Sequence, residues 1–205
     1  MPNDPSIKGT VVAGHAETFQ KYLADESPDR ATLDRWFEPG EVDVLSGPIE
    51  PTRWFPIGSY DRLLCFLREY VGGGRNEFLI ESGRRTAEKL LAAGIHQQFE
   101  YLSRTEVSEK VDKESRHQAF GRDLRLLTTI TGSILNFLES SVVPDPDHAM
   151  RWMICHRQAR DYPETLCWTS QGFCNRMAEE HGMPELWYWE RPEPGVVCFR
   201  MNREA

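Results

Sequence analysis

Six histidines and five cysteines are the residues of this chain best suited to hold a metal or serve as nucleophile and base, so their spacing is the first guide to its chemistry. His15, His96, His117, His148, His156 and His181 stand singly rather than at metal-ligand spacing, and each reads as a surface or satisfied core residue. His117 differs, because it opens the strongest helix of the chain, where that helix can line a cavity. Cys65, Cys155, Cys167, Cys174 and Cys198 are odd in number and contain no C-x-x-C pair, so no disulfide framework is implied. No G-x-x-x-x-G-K, G-x-G-x-x-G, H-E-x-x-H or G-x-S-x-G is present, which removes the usual phosphate, dinucleotide, zincin and hydrolase signatures. Gly72-Gly73-Gly74 before Arg75 can cradle an anion, but a bare glycine run is more often a helix stop or a corner. Without a nucleophile, base and oxyanion constellation, a non-enzymatic protein is expected.

The elements that position these residues follow from composition and period. A chain of 205 residues with 40% hydrophobic and 27% charged residues is expected to fold as a single domain over 1–205, with no metal or disulfide needed to close its core. The net charge of -8 is spread over both signs without a basic block, so nucleic acid is not expected as a partner. No apolar run approaches bilayer length, and the polar, Pro-containing Met1–Ser6 precedes no signal core, so a cytoplasmic location is expected.

Helical period begins at Ala16–Tyr22 and resumes through Leu33, Trp36 and Phe37 until Pro39-Gly40. From Glu41 to Pro56 the prolines predict a surface loop that docks Trp54 and Phe55. Ser59 is placed to cap a helix carrying Leu63, Leu64 and Leu67, and Asn76 to cap another carrying Leu79, Gly83 and Ala87, with Gly83 marking close packing. The strongest helix spans roughly Ser115–Ser140, ended by Pro144 and Pro146. Met150–Cys155 then alternates as a strand, Pro163 opens a helix through Met177, and Leu186–Trp189 and Val196–Met201 form a hairpin about Pro194-Gly195. The fold class is therefore α+β: a helical part over 1–143, then a small antiparallel sheet over 144–205 covered by the long helix and the strand-flanked C-terminal helix.

The segment Cys167-Trp168-Thr169-Ser170-Gln171-Gly172-Phe173, followed by Tyr188-Trp189-Glu190 and Cys198-Phe199-Arg200, resembles the small-molecule-sensing domains of the 4-vinyl reductase type. In that family a helix with C-W-x-x-x-G and then Tyr or Phe precedes a strand ending Y-x-E, a turn, and a final strand with a Cys followed by Arg or Phe. This covers about the last forty residues. The upstream part, with its Trp54–Leu64 segment and Gly83-Arg84 helix, is similar to a paralogous family abundant in myxobacteria. Related domains include heme-based nitric-oxide sensors, phenol- and xylene-responsive activators and vesicle-tethering subunits.

The resemblance implies an α+β domain that is read by a partner. In the phenol sensors a structural zinc is held by the helix Cys, the strand Glu and two further cysteines. Carried over, this gives Cys167, Glu190 and Cys198, with Glu193 where the family has a cysteine. Zinc accepts a carboxylate, so the four form a candidate tetrahedral set, the plain alternative being ordinary buried thiols. Heme is not expected, because Tyr101-Leu102-Ser103-Arg104 only approximates the propionate-binding motif and no His stands at a matching distance. The position of Tyr188 lines the pocket in phenol sensors.

Two functions are consistent with this. The first is a sensor that binds a small apolar molecule between the long helix and the sheet, in a site lined by Trp152, Phe173, Tyr188 and His117, with Trp152 and Tyr188 on one face of the sheet. The second is an interaction or homodimerisation module with a closed core, its partner docking on the long helix around Leu124–Leu138. Either way a protein partner or a second copy is expected, since no output domain is present in the sequence.

Overall fold

The computed structural model describes residues 4–92, 113–180 and 187–201. Helices alternate with two antiparallel sheets, as the α+β reading requires. Strand β1 (Ser6–Lys8) runs into helix α1 (Gly9–Glu26), in which Val12, His15, Ala16 and Phe19 recur at i, i+3, i+4 and i+7 and are buried. The helix begins seven residues before the first one expected, because Gly9 lies against the Glu50 carbonyl, where a Cβ would stand 2.1 Å from its oxygen. Helix α2 (Arg30–Asp34) is capped by Asp29, whose carboxylate accepts from the Thr32 N–H at 2.6 Å.

The stretch expected as a loop from Glu41 to Pro56 holds helix α3 (Glu41–Ser46) and strand β2 (Trp54–Pro56), which pairs with β1. Valine and leucine at 42 and 45 are enough to anchor one buried turn and a half. Helix α4 (Ile57–Tyr70) starts before Ser59, so Ser59 does not cap it; its hydroxyl donates instead to the Glu41 carboxylate, which also takes Arg62. Phe19, Phe37 and Phe66 meet here at centroid distances of 5.2 to 5.3 Å, with Tyr22, Trp36 and Tyr70 around them.

Helix α5 (Asn76–Leu90) crosses the C-terminal helix α7 (Glu164–Glu180) at two glycines. A Cβ on Gly83 would lie 1.8 Å from the Thr169 carbonyl oxygen, and one on Gly172 would lie 1.8 Å from that of Ile80. Each glycine thus seats against the carbonyl three residues before the other, and the two backbones touch. Close packing at Gly83, anticipated from the sequence, is realised here. Arg84–Glu179 and Arg176–Glu88 flank the crossing at 2.7 and 3.5 Å.

The long helix, α6 (Lys113–Ile134), is shorter than the sequence suggested. Residues 139 and 140, expected in its last turn, open strand β3 (Glu139–Asp145), which holds Pro144 rather than being preceded by it. Leu135 and Leu138 prolong the helical period without the helix: Leu135 is buried because it bridges Ile7 of β1. Pro144 is tolerated because β3 is an edge strand. Strands β4 (His148–Arg157), β5 (Trp187–Glu193) and β6 (Val196–Met201) complete a sheet of order β3-β4-β6-β5.

The pleat sorts the side chains of this sheet. Trp152, Ile154, His156, Val197, Phe199, Met201 and Trp187 face α6 and α7 and are all buried. Met153, Cys155, Cys198, Arg200, Tyr188 and Glu190 share the opposite face. The free edge at β5 is covered by α7: Asn175 accepts from the Trp187 N–H and Gln171 from the Trp189 N–H, at 2.5 and 3.3 Å. Side-chain carbonyls one helical turn apart thus stand in for a missing strand.

Candidate functional site

On the helix-covered face, one stripe of α6 meets Trp152. His117 stacks on the indole at 4.7 Å with planes 13° apart, and the Arg125 guanidinium lies 4.8 Å from the ring. Between them Gly121 gives up its side chain, since a Cβ there would fall 2.3 Å from the indole. The indole N–H donates to the His117 carbonyl at 2.8 Å. His117, Gly121 and Arg125 are spaced by four, so the notch is a property of one helical face. Phe120, on the same helix, packs edge-on to Trp187 at 6.2 Å.

Two polar atoms in this interior, His117 Nδ1 and Trp187 Nε1, have no hydrogen-bond partner among the described residues; they belong to residues 5% and 1% exposed. Trp189 Nε1, beside Trp168, is a third. Buried donors are nearly always paired, and each orphan costs about 1–3 kcal/mol. The structure therefore brings His117 and Trp152 together as the sequence reading proposed, and adds Trp187, which that reading took only as a strand residue.

The remaining expected members lie elsewhere. Tyr188 is not on the face of Trp152. Met153, Arg200 and Tyr188 are in register across three strands, and Trp152, one residue from Met153, must point the other way. The expectation assumed a register between strands that are not consecutive in sequence. Phe173 sits half-buried on α7 at its crossing with α5, its amide 2.9 Å from where a Cβ on Gly83 would be. Leu124 and Leu135, expected on a partner surface, are 1% and 4% exposed and belong to the chain's own core; Leu126 of α6 faces outward.

The four candidate zinc ligands are not gathered. Glu190 and Cys198 are cross-strand partners on the outer face, but Cys167 is fully buried on α7, where burial pushes its thiol up to about 12. Glu193 is exposed at the β5–β6 turn. No group of three or more His, Cys, Asp or Glu side chains with metal-binding geometry occurs among the described residues.

The outer face has its own constellation. Cys155 and Cys198 stand directly opposite each other with sulfurs 3.4 Å apart. The two thiols share a hydrogen bond in which either can donate, and it holds Cys155 below the usual thiol range; burial opposes this, and the Arg157 and Arg200 charges assist. Cys198 is raised by the same bond. Arg200 clamps Asp145 through two nitrogens at 2.6 and 3.2 Å and reaches Asp147 at 2.6 Å and Glu190 at 3.4 Å. Burial opposes ionisation of Asp145, but its hydrogen bonds to Arg200 win and hold its carboxyl below the usual range.

A third cluster escaped the sequence reading. The His15 ring is bonded at both nitrogens, to the Ser82 hydroxyl at 2.7 Å and to the Tyr60 hydroxyl at 3.0 Å. The contacts are those of a nucleophile, base and orienting group. Yet all three residues are buried among α1, α4 and α5, and burial lowers His15 to about 4, so the set is a satisfied polar core. The signal that could have found it is the spacing of His15 from Val12 and Phe19 on one helical stripe. An open groove of about 500 Å3 lies at the β5–β6 turn between Arg160, Arg191 and Pro192–Gly195. Arg191 is committed there to the carbonyls of Ala159 and Tyr162, while Arg160 also lines the groove.

In comparisons with protein families, with curated proteins and with solved structures, the chain matches none. No helix among the described residues is long and apolar enough to cross a membrane.

Proposed function

We propose that the chain is a non-enzymatic, cytoplasmic regulatory module that holds a small, mainly apolar molecule between α6 and the sheet and reports its presence to a partner protein or a second copy. The observation that carries this reading is the pair of buried polar atoms, His117 Nδ1 and Trp187 Nε1, which find no hydrogen-bond partner among the described residues of a mainly apolar interior. A ligand with one or two hydrogen-bonding groups on a carbon frame is what such a lining selects. The resemblance to the 4-vinyl reductase type domains supports the same class of ligand. Native mass spectrometry of the purified protein should show a bound small molecule, and simple phenols should raise its melting temperature. His117→Phe should abolish that rise while keeping the ring that stacks on Trp152. Tyr188→Phe, on the opposite face, should leave it unchanged. No bound mass and no shift with any phenol would refute the reading.

One observation favours a closed core instead: the Trp152 indole is already flanked by His117, Gly121 and Arg125 from the chain itself. On that reading the module acts through protein contacts alone. Titration by analytical ultracentrifugation, with and without phenol, distinguishes the two, since only a sensor couples ligand to association.

A further inference from the structure

We infer that Cys155 and Cys198 are a redox-active dithiol, which a small disulfide converts to a cross-strand Cys155–Cys198 disulfide on the outer face of the sheet. This site is separate from the α6 interface and does not depend on any ligand there. Geometry carries it. The two residues are in register as Cα partners on neighbouring antiparallel strands, although 43 residues apart in sequence. Directly opposed residues have Cα atoms roughly 4.5–5.5 Å apart, inside the range of about 4.4–6.8 Å that a disulfide accepts. Their sulfurs, 3.4 Å apart, need to close by roughly 1.3 Å to reach bonding distance, a movement that side-chain rotation supplies without shifting a strand.

The surroundings favour reaction here over the other thiols. Cys155 faces the same side as Arg200, its neighbour on that face of β6, and Arg157 also lies close enough to favour its thiolate. Cys167 and Cys174 lie in the core, where burial pushes both thiols up to about 12. Cys65 is half-buried on α4 beside Asp61, and burial together with that carboxylate raises its thiol. Cys155 and Cys198 are 9% and 5% exposed, so an attacking reagent must displace part of the Met153, Glu190 and Arg200 side chains that share the face.

The exchange balances in two steps. The Cys155 thiolate attacks one sulfur of the small disulfide and expels the other half as a thiolate. The Cys198 sulfur, giving its proton to that leaving thiolate, then attacks the Cys155 sulfur and expels the second half, which takes the proton that Cys155 had lost. Two protein thiols are oxidised by two electrons, and one disulfide is reduced to two thiols.

The full chain incubated with oxidised glutathione, then alkylated and digested, tests this. The expected result is an intact mass lower by two hydrogens and one cross-linked peptide pair joining Cys155 to Cys198. In Cys198→Ser the second step is removed, so a glutathione adduct should accumulate on Cys155; excess dithiothreitol should reverse both products. The wild-type peptide map does not depend on how that variant folds. Adducts confined to Cys65, a cross-link between other cysteines, or five thiols still free when an exposed control thiol has reacted, would each overturn the assignment.

Discussion

Replacing Gly83 by alanine should be strongly destabilising, although alanine is the better helix former. In α5 the new Cβ would lie 1.8 Å from the Thr169 carbonyl oxygen and 2.8 Å from its carbon, both backbone atoms of α7. No rotamer change relieves a backbone contact, so the helices must separate by at least roughly 1.6 Å to reach an ordinary approach. Overpacking of this kind costs about 1–3 kcal/mol, and immovable backbone puts it at the upper end. The helix-propensity gain offsets about 1 kcal/mol. A net loss of about 2 kcal/mol should lower the melting temperature by roughly 4–8 °C for a chain of this size.

Gly172→Ala should cost a similar amount, and the double variant less than the sum, because one separation relieves both collisions. Gly132→Ala is the control: it lies in α6 with nothing within 4 Å of its Cβ and should stabilise by up to about 1 kcal/mol. Thermal melts of the four variants decide the matter. A Gly83→Ala protein as stable as the parent, or strict additivity with Gly172→Ala, would refute the reasoning from a shared backbone crossing.

Stability should also fall in mild acid. His15 and His156 are lowered to about 4 by burial, so folding excludes a proton that the unfolded chain binds below its ordinary value of 6.5, and stability is lost as pH falls from there towards 4. Urea unfolding at about pH 7.5 and about pH 5 should differ by about 2 kcal/mol per histidine, and His156→Asn should remove its share. Arg200→Gln should cost about 3 kcal/mol by leaving the buried Asp145 without its cation. Since Arg200 depresses the Asp145 carboxyl, the stability from that pair is present above the unfolded pKa and lost as pH falls through the folded one. The variant should therefore unfold at a higher pH than the parent in an acid titration followed by circular dichroism.

How far these features were legible in the sequence depended on whether the signal was local. Pro163 at the start of α7 and Gly195 in the left-handed turn between β5 and β6 (φ 87) announce themselves, because each acts within its own turn. Gly83 was read correctly as a contact point, though its partner, the Thr169 carbonyl, could not be named. The end of α6 was misplaced because Leu135 and Leu138 keep helical spacing, while Leu135 serves a bridge to Ile7 that no local pattern encodes. The opposite faces of Trp152 and Tyr188, and the meeting of Cys155 with Cys198, both rest on the pairing of β4 with β6 across an intervening helix and strand. Single-residue periodicity cannot choose such a register.

The hydrogen bonds of the first strand have a consequence for synthesis. Ser6 donates its N–H to the Asn136 side chain and accepts from the Asn136 N–H, and Asn136 also donates to the Asp4 carbonyl, across 130 residues or more. At translation rates of about 5–20 residues per second, β1 must wait on the order of ten seconds for that partner to be made. Until then β2 is the strand that pairs with it. Strand β1 is thus locked only after a much later segment has been made, and a chain halted before Asn136 would keep an open strand edge for whatever chaperone or neighbouring nascent chain meets it.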